Sequence, residues 1–216
     1  MVYLPKQEAK FTGLNVRIRG QPATYELMEE MSPEMNFEKL REYSESERGK
    51  GNPYPATAPE VFALMERMSG RTEDISEEDF TRGIDFWKNA LRRWPQTASL
   101  NVYHSEGQNS AVVHGFGDLA YRVEGTLIGP DGWVGDLSSG EREALKLSFG
   151  TKDSKRINRV VNALTHKDAF LWRLNSAPDE TFKRVVGFYA RSDWLVFDCC
   201  GVPAGRFPAF RVRKVE

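Results

Sequence analysis

Cys199 and Cys200 stand side by side in SDWLVFDCCGVPAGRF, residues 192–207, and are the only two thiols in the chain. A nucleophilic cysteine needs a histidine within reach. A thiolate zinc site needs further ligands at short, regular spacing. Neither pattern surrounds this pair. Adjacent side chains on a strand leave by opposite faces, so the two are read as one buried thiol acting as a small hydrophobe and one partly exposed.

His104 and His114 lie ten residues apart on segments that both read as strands. A hairpin turning at SEGQN would set them nearly opposite each other across the ladder. Two imidazoles so placed, with Asp118 as the nearest carboxylate, are candidates for a metal or acid–base site. The carboxylates Asp118, Glu124, Asp136, Glu141, Glu143 and Asp198 extend that idea to a metal-assisted hydrolase or nuclease, which needs two or three of them to converge. The competing reading is turn chemistry, since Asp131 and Asp136 sit among glycines. GKGNPYP lacks the Gly-Lys-Ser/Thr ending of a phosphate loop, HGFGDLA opens no evident helix, and no nucleophile elbow appears. No motif specifies a cofactor.

Charge is unevenly spread. Residues 1–80 hold 10 Lys and Arg against 16 Asp and Glu, whereas residues 151–216 hold 13 against 7, within a total of 30 against 31. Such asymmetry can mark a polyanionic partner. Lys155, Arg156 and Arg159 fall on the polar side of one helical stretch. Arg206, Arg211, Arg213 and Lys214 interleave with Phe207 and Phe210 at the close of the chain. Guanidinium groups grip phosphates, and aromatics exposed on a sheet stack bases. The alternative is a solvated basic edge that discourages strand pairing.

The elements that would carry these groups can be read from period and punctuation. FTGLNVRIR (11–19) alternates as a strand. Residues of about 24–48 read as acidic and helical, with Ser32 as N-cap and Pro33 in the first turn. Thr57 and Glu60 form a capping-box spacing ahead of Val61, Leu64, Met65 and Met68. Ser76 caps a second amphipathic helix with Phe80, Ile84, Trp87 and Leu91 on one side, stopped at Pro95. Beyond it, 98–105, 110–117, 119–129 and 143–150 read as strands, DSKRINRVVNAL (153–164) as a helix, and 169–175, 181–191, 194–200 and 207–215 as further strands.

The fold expected is therefore α+β, with a largely antiparallel sheet in the C-terminal half, an N-terminal pair of amphipathic helices and one further helix near 153–164. The acidic helical part, 1–95, is expected to pack on the β-rich part, 96–216, as one unit. No apolar run is long enough to span a membrane and no signal-like stretch opens the chain, so a cytoplasmic protein is expected. The leading functional expectation is a non-catalytic nucleic-acid-binding or assembly module that uses the basic C-terminal surface. The alternatives are the metal-assisted hydrolase and a protein-interaction subunit whose acidic helices meet a basic partner.

Overall fold

Two β-sheets and five helices make up the computed structural model, which describes residues 9–18, 20–70, 75–105 and 110–215. The smaller sheet has the order β1–β2–β11–β3, from β1 (Lys10–Ile18), β2 (Gln21–Met28), β3 (Tyr54–Pro55) and β11 (Arg211–Val215). The larger has the order β6–β5–β4–β9–β10–β8–β7. Its strands are β4 (Gln96–Tyr103), β5 (Ser110–His114), β6 (Tyr121–Gly125), β7 (Gly132–Trp133), β8 (Asp168–Trp172), β9 (Phe182–Ala190) and β10 (Trp194–Gly201). All pairings are antiparallel except β8 with β10.

The helices are α1 (Phe37–Gly49), α2 (Ala58–Ser69), α3 (Glu77–Leu91), α4 (Glu143–Phe149) and α5 (Ser154–Thr165). The main core joins Leu27, Tyr25 and Val212 of the smaller sheet to Val61, Leu64 and Met65 of α2, and these to Phe188 and Phe197 of the larger sheet. Both parts of the chain thus feed one core. A second, smaller cluster of Leu40, Ala98, Phe116 and Ala209 anchors α1.

Local chemistry explains the helices that form where expected. Thr57 Oγ1 accepts from the Glu60 N–H, and the Glu60 carboxylate accepts from the Thr57 N–H at 2.7 Å, completing the capping box of α2. The Ser76 side chain caps α3 by accepting from Asp79 N at 3.0 Å. Ile157, Val160, Val161 and Leu164 are all buried on α5, as their spacing requires.

Three elements differ from expectation. The segment 24–48 is not one helix: residues through Met28 form β2, because Tyr25 and Leu27 alternate inward between β1 and β11. Ser32 does not cap; its hydroxyl accepts from Ala209 N at 2.9 Å, and Asn36 caps α1 instead. Residues 143–149 are the helix α4 rather than a strand. Ala144, Leu145 and Ser148 bury one side of it, and Gly150 closes it in the left-handed region at φ 83°. Finally, the closing strand β11 does not join the β-rich part's own sheet but pairs with β2 and β3. No helix is long and apolar enough to cross a membrane among the described residues.

Candidate functional site

Burial and pairing account for most of the chemistry-bearing residues. Cys199 lies in the core, 3.6 Å from Ser148 Oγ, and burial pushes its thiol up to about 12. Cys200 is half-buried and also held protonated, first by burial and then by its neighbours Cys199 and Asp198. Both thiols are free, and neither has the lowered pKa of a nucleophile.

The two histidines are not brought together. The β4–β5 register sets Ser99 opposite His114 and Val102 opposite Ala111, which carries His104 past the far end of the described pairing. The turn at 106–109 lies outside the described residues. His114 is 1 % exposed, with Nε2 donating to the Leu147 carbonyl and Nδ1 bonded to Ser99 Oγ, each at 2.8 Å. Ser99 Oγ also accepts from Ala58 N at 2.9 Å, so His114 is a buried structural link between β4, α2 and α4. His104 bonds Thr181 at 2.9 Å. Asp118 sits exposed in a short turn, Glu124 pairs with Arg122 at 2.9 Å, and Asp136 is exposed in a loop. No group of three His, Cys, Asp or Glu side chains that could hold a metal ion occurs among the described residues.

The seven basic residues fall in separate places. Lys155 and Arg159 are exposed on α5, which packs on α2. Arg156 is gripped at Nε and Nη2 by both carboxylate oxygens of Glu66 on α2. Arg213 opposes Glu26 on the outer face of the smaller sheet and contacts its carboxylate at 3.4 Å, while Lys10 bonds the same carboxylate at 2.6 Å. Arg211 Nε donates to the Glu30 carbonyl at 3.0 Å and Arg206 to the Glu34 carbonyl at 3.3 Å. Lys214 is exposed near the end of β11. The aromatics between these cations are not available for stacking: Phe210 is 1 % exposed in the core and Phe207 is half-buried. The apolar residues of α2 are buried as well, and those of α3 are buried or half-buried.

A different aromatic group is exposed. Trp94, Trp133 and Trp172 have 45 %, 37 % and 39 % of their surface open, whereas indoles that serve only the core are closed, as Trp87 is at 0 %. They lie on or beside the outer face of the larger sheet. On β8, Ala169 and Leu171 fill the core, so alternation turns Phe170 and Trp172 outward. On β10, Leu195 and Phe197 go inward, leaving Trp194 and Asp198 on the opposite side. Phe170 stacks on Trp194 at 5.5 Å between centroids, and Trp133 meets both edge-on at 5.3 and 5.2 Å. The buried Nε1 of Trp194 has no hydrogen-bond partner among the described residues.

The other half of the group centres on a cation. Arg191 lies 6.0 Å from the Trp94 ring, 5.7 Å from Trp172 and 5.5 Å from Tyr189. Trp94 stacks flat on Tyr189, with centroids 4.3 Å apart and planes 8° from parallel. Its backbone sits in the left-handed region at φ 58°, which costs a bulky L-residue roughly 1–2 kcal/mol. The conformation arises where α3 must stop before Pro95 and turn into β4. Gly187 lets the Pro95 carbonyl close on β9, since a Cβ there would come within 3.0 Å of that oxygen.

Asp198 lies within this face. Its register partners are Trp172 on β8 and Gly187 on β9. The missing Gly187 side chain leaves a niche of about 30 Å³ bordered by Trp94, Tyr189 and Asp198. Asp198 Oδ1 accepts from Cys200 N at 2.7 Å. Burial raises its carboxyl to about 6, against the pull of that hydrogen bond; Asp131 adds to the rise and Arg184 opposes it. Sequence reasoning placed these segments on strands but overlooked the face. The available signal was AFLW (169–172), apolar on both sides of a strand that needs only one side for the core.

Comparison of the chain with family models, with curated proteins and with solved structures gives no match.

Proposed function

We propose that the protein is a non-catalytic module that binds single-stranded nucleic acid across the aromatic outer face of the larger sheet. The observation that carries this reading is the exposure of Trp94, Trp133 and Trp172 together with Arg191 packed among three rings. Every base has a π-face, and stacking on an aromatic ring is worth about 1–3 kcal/mol per base. A guanidinium set between indoles supplies charge to the backbone and a flat partner to a base. Trp133 and Trp172 sit on strands and Trp94 is stacked on Tyr189 of β9, so little side-chain freedom is lost when a ligand stacks.

This reading keeps the partner expected from the charge layout and moves the contact away from the closing strand. Arg206, Arg211 and Arg213 already face carboxylate or carbonyl groups of the acidic part, which weakens their pull on phosphate. Lys155 and Arg159 on α5 remain exposed and can add long-range attraction.

Tryptophan fluorescence during titration with single-stranded DNA and RNA at low salt tests the reading. Quenching that saturates, and an affinity that falls steeply as salt rises, are expected. No binding to either polymer at low salt overturns it. So does salt-independent binding of a neutral oligosaccharide in its place, because sugars also stack on indoles but release no counterions.

A further inference from the structure

We infer that Asp198 makes this face select bases that carry an exocyclic amino group, cytosine, adenine and guanine, over uracil and thymine, which carry none. The inference rests on the single-strand reading and adds base preference to it. Asp198 is flanked by Trp172 on one side and by the niche beneath Trp94 and Tyr189 on the other. A base stacked on either ring brings its edge toward this carboxylate. One carboxylate oxygen is engaged by the Cys200 N–H, and Oδ2 has no protein donor among the described residues. It is therefore left to accept from a ligand.

The niche fits a small group rather than a ring. Its volume of about 30 Å³ suits something of the size of a water molecule or an amino group. The amino groups of cytosine, adenine and guanine are donors that a carboxylate accepts. Uracil and thymine present a carbonyl oxygen at the matching position, and two acceptors facing each other repel. Gly187 is the feature that keeps the approach open, since any side chain there would project into the niche and crowd Pro95 O.

The cleanest probe is a pair of single-stranded homo-oligomers of equal length, deoxycytidine and deoxyuridine. Their bases differ only on the pairing edge, in the exocyclic group and the N3 proton, so stacking area is nearly matched. Competition is measured by fluorescence anisotropy at pH 8, where the carboxyl is ionised. The wild type is expected to prefer the cytosine oligomer by about tenfold, the scale of one good base contact. In Asp198→Asn the amide offers both a donor and an acceptor, and the preference shrinks to about twofold or less. Asp198→Ser, which leaves the niche emptier, loses the preference as well, and thermal melts of both variants establish that they are folded. Equal affinities in the wild type, or a preference that survives both substitutions, overturn the base selection while leaving the single-strand reading intact. Failure of every oligomer to bind overturns both.

Discussion

The outer faces of the two sheets are built from opposite materials. On the smaller sheet, Arg213 and Lys10 converge on Glu26, and Arg211 reaches the Glu30 carbonyl. On the larger sheet, three indoles stay open, two of them, Trp94 and Trp172, beside Arg191. The first face looks the more functional in the sequence and is largely self-satisfied in the fold. Long cationic stems bend until they meet an acceptor, so a basic stretch need not make a basic surface. Rigid aromatic rings on outward strand positions have no such retreat. What they expose, they expose because nothing in the fold covers them.

The sharpest way to break the comparison is to strip one residue from each face and measure binding. Trp172→Ala should lower affinity for a single-stranded oligonucleotide by roughly 10- to 100-fold, the worth of one stacked base. Its stability should fall by less than about 1 kcal/mol, since the residue is more than a third exposed and its cation–π approach to Arg191 is 5.7 Å. Arg213→Ala on the smaller sheet should leave affinity within about twofold. Equal losses from both substitutions would erase the distinction between the faces.

The next effect is a pH dependence that belongs to the aromatic face. Asp198 holds its proton up to about 6, above the ordinary aspartate range, because it is desolvated. Between roughly pH 4 and 6 the folded state therefore binds more protons at this site than the unfolded chain does. The sign follows: the contribution of Asp198 to stability is full at the acid end, declines as pH rises through that window, and is flat above it. A loss of about 1–2 kcal/mol is expected across the window. Denaturant midpoints for wild type and Asp198→Asn, compared from pH 4 to 7, read it directly, and the variant should lack this component. Parallel pH profiles would show that the carboxyl is not desolvated.

Much of the architecture was legible because it rests on local rules. The Thr57–Glu60 box, the Ser76 cap, the α5 stripe and most strands of the larger sheet are set by spacing within a few residues. What was illegible depends on partners distant in the chain. The inner position of 21–28 in its sheet, between its neighbour β1 and the distant β11, is completed by a strand nearly two hundred residues away, through Val212 opposite Leu27. The fate of the basic residues was hidden for the same reason, because Glu66 and Glu26 reach them from the other end of the sequence. His104 and His114 were misjudged by a shift of register, which the pattern of a short hairpin does not fix without its turn. The aromatic face was overlooked: AFLW carried a local signal for it, but only the sheet order could bring Trp94 from beyond α3's end to stack on Tyr189.

Removing the acid from the smaller sheet sharpens the contrast at lower amplitude. Glu26→Gln should cost about 1 kcal/mol, because Glu26 is mostly buried and both Lys10 and Arg213 lose a counter-charge. The 3.4 Å approach of Arg213 is a charge contact rather than a full hydrogen bond, so Lys10 should carry the larger share. A double-mutant cycle with Lys10→Met measures that share, and added salt should shrink it.

The smallest effect on stability is expected at the residue whose loss should matter most to the pairing of strain with exposure. Trp94→Gly removes a stacked ring from Tyr189 and, at the same time, relieves a left-handed backbone that glycine adopts freely. An aromatic pair is worth about 0.5–1.5 kcal/mol, and the backbone relief is of similar size and opposite sign. The thermal midpoint should therefore move little, while oligonucleotide affinity falls by roughly tenfold. Trp94→Ala keeps the strain and loses the ring, so it should be the less stable of the two and bind equally poorly. If the glycine variant instead unfolds well below the wild type, Trp94 is there to hold the turn into β4, and the strain at that position serves the fold rather than the face.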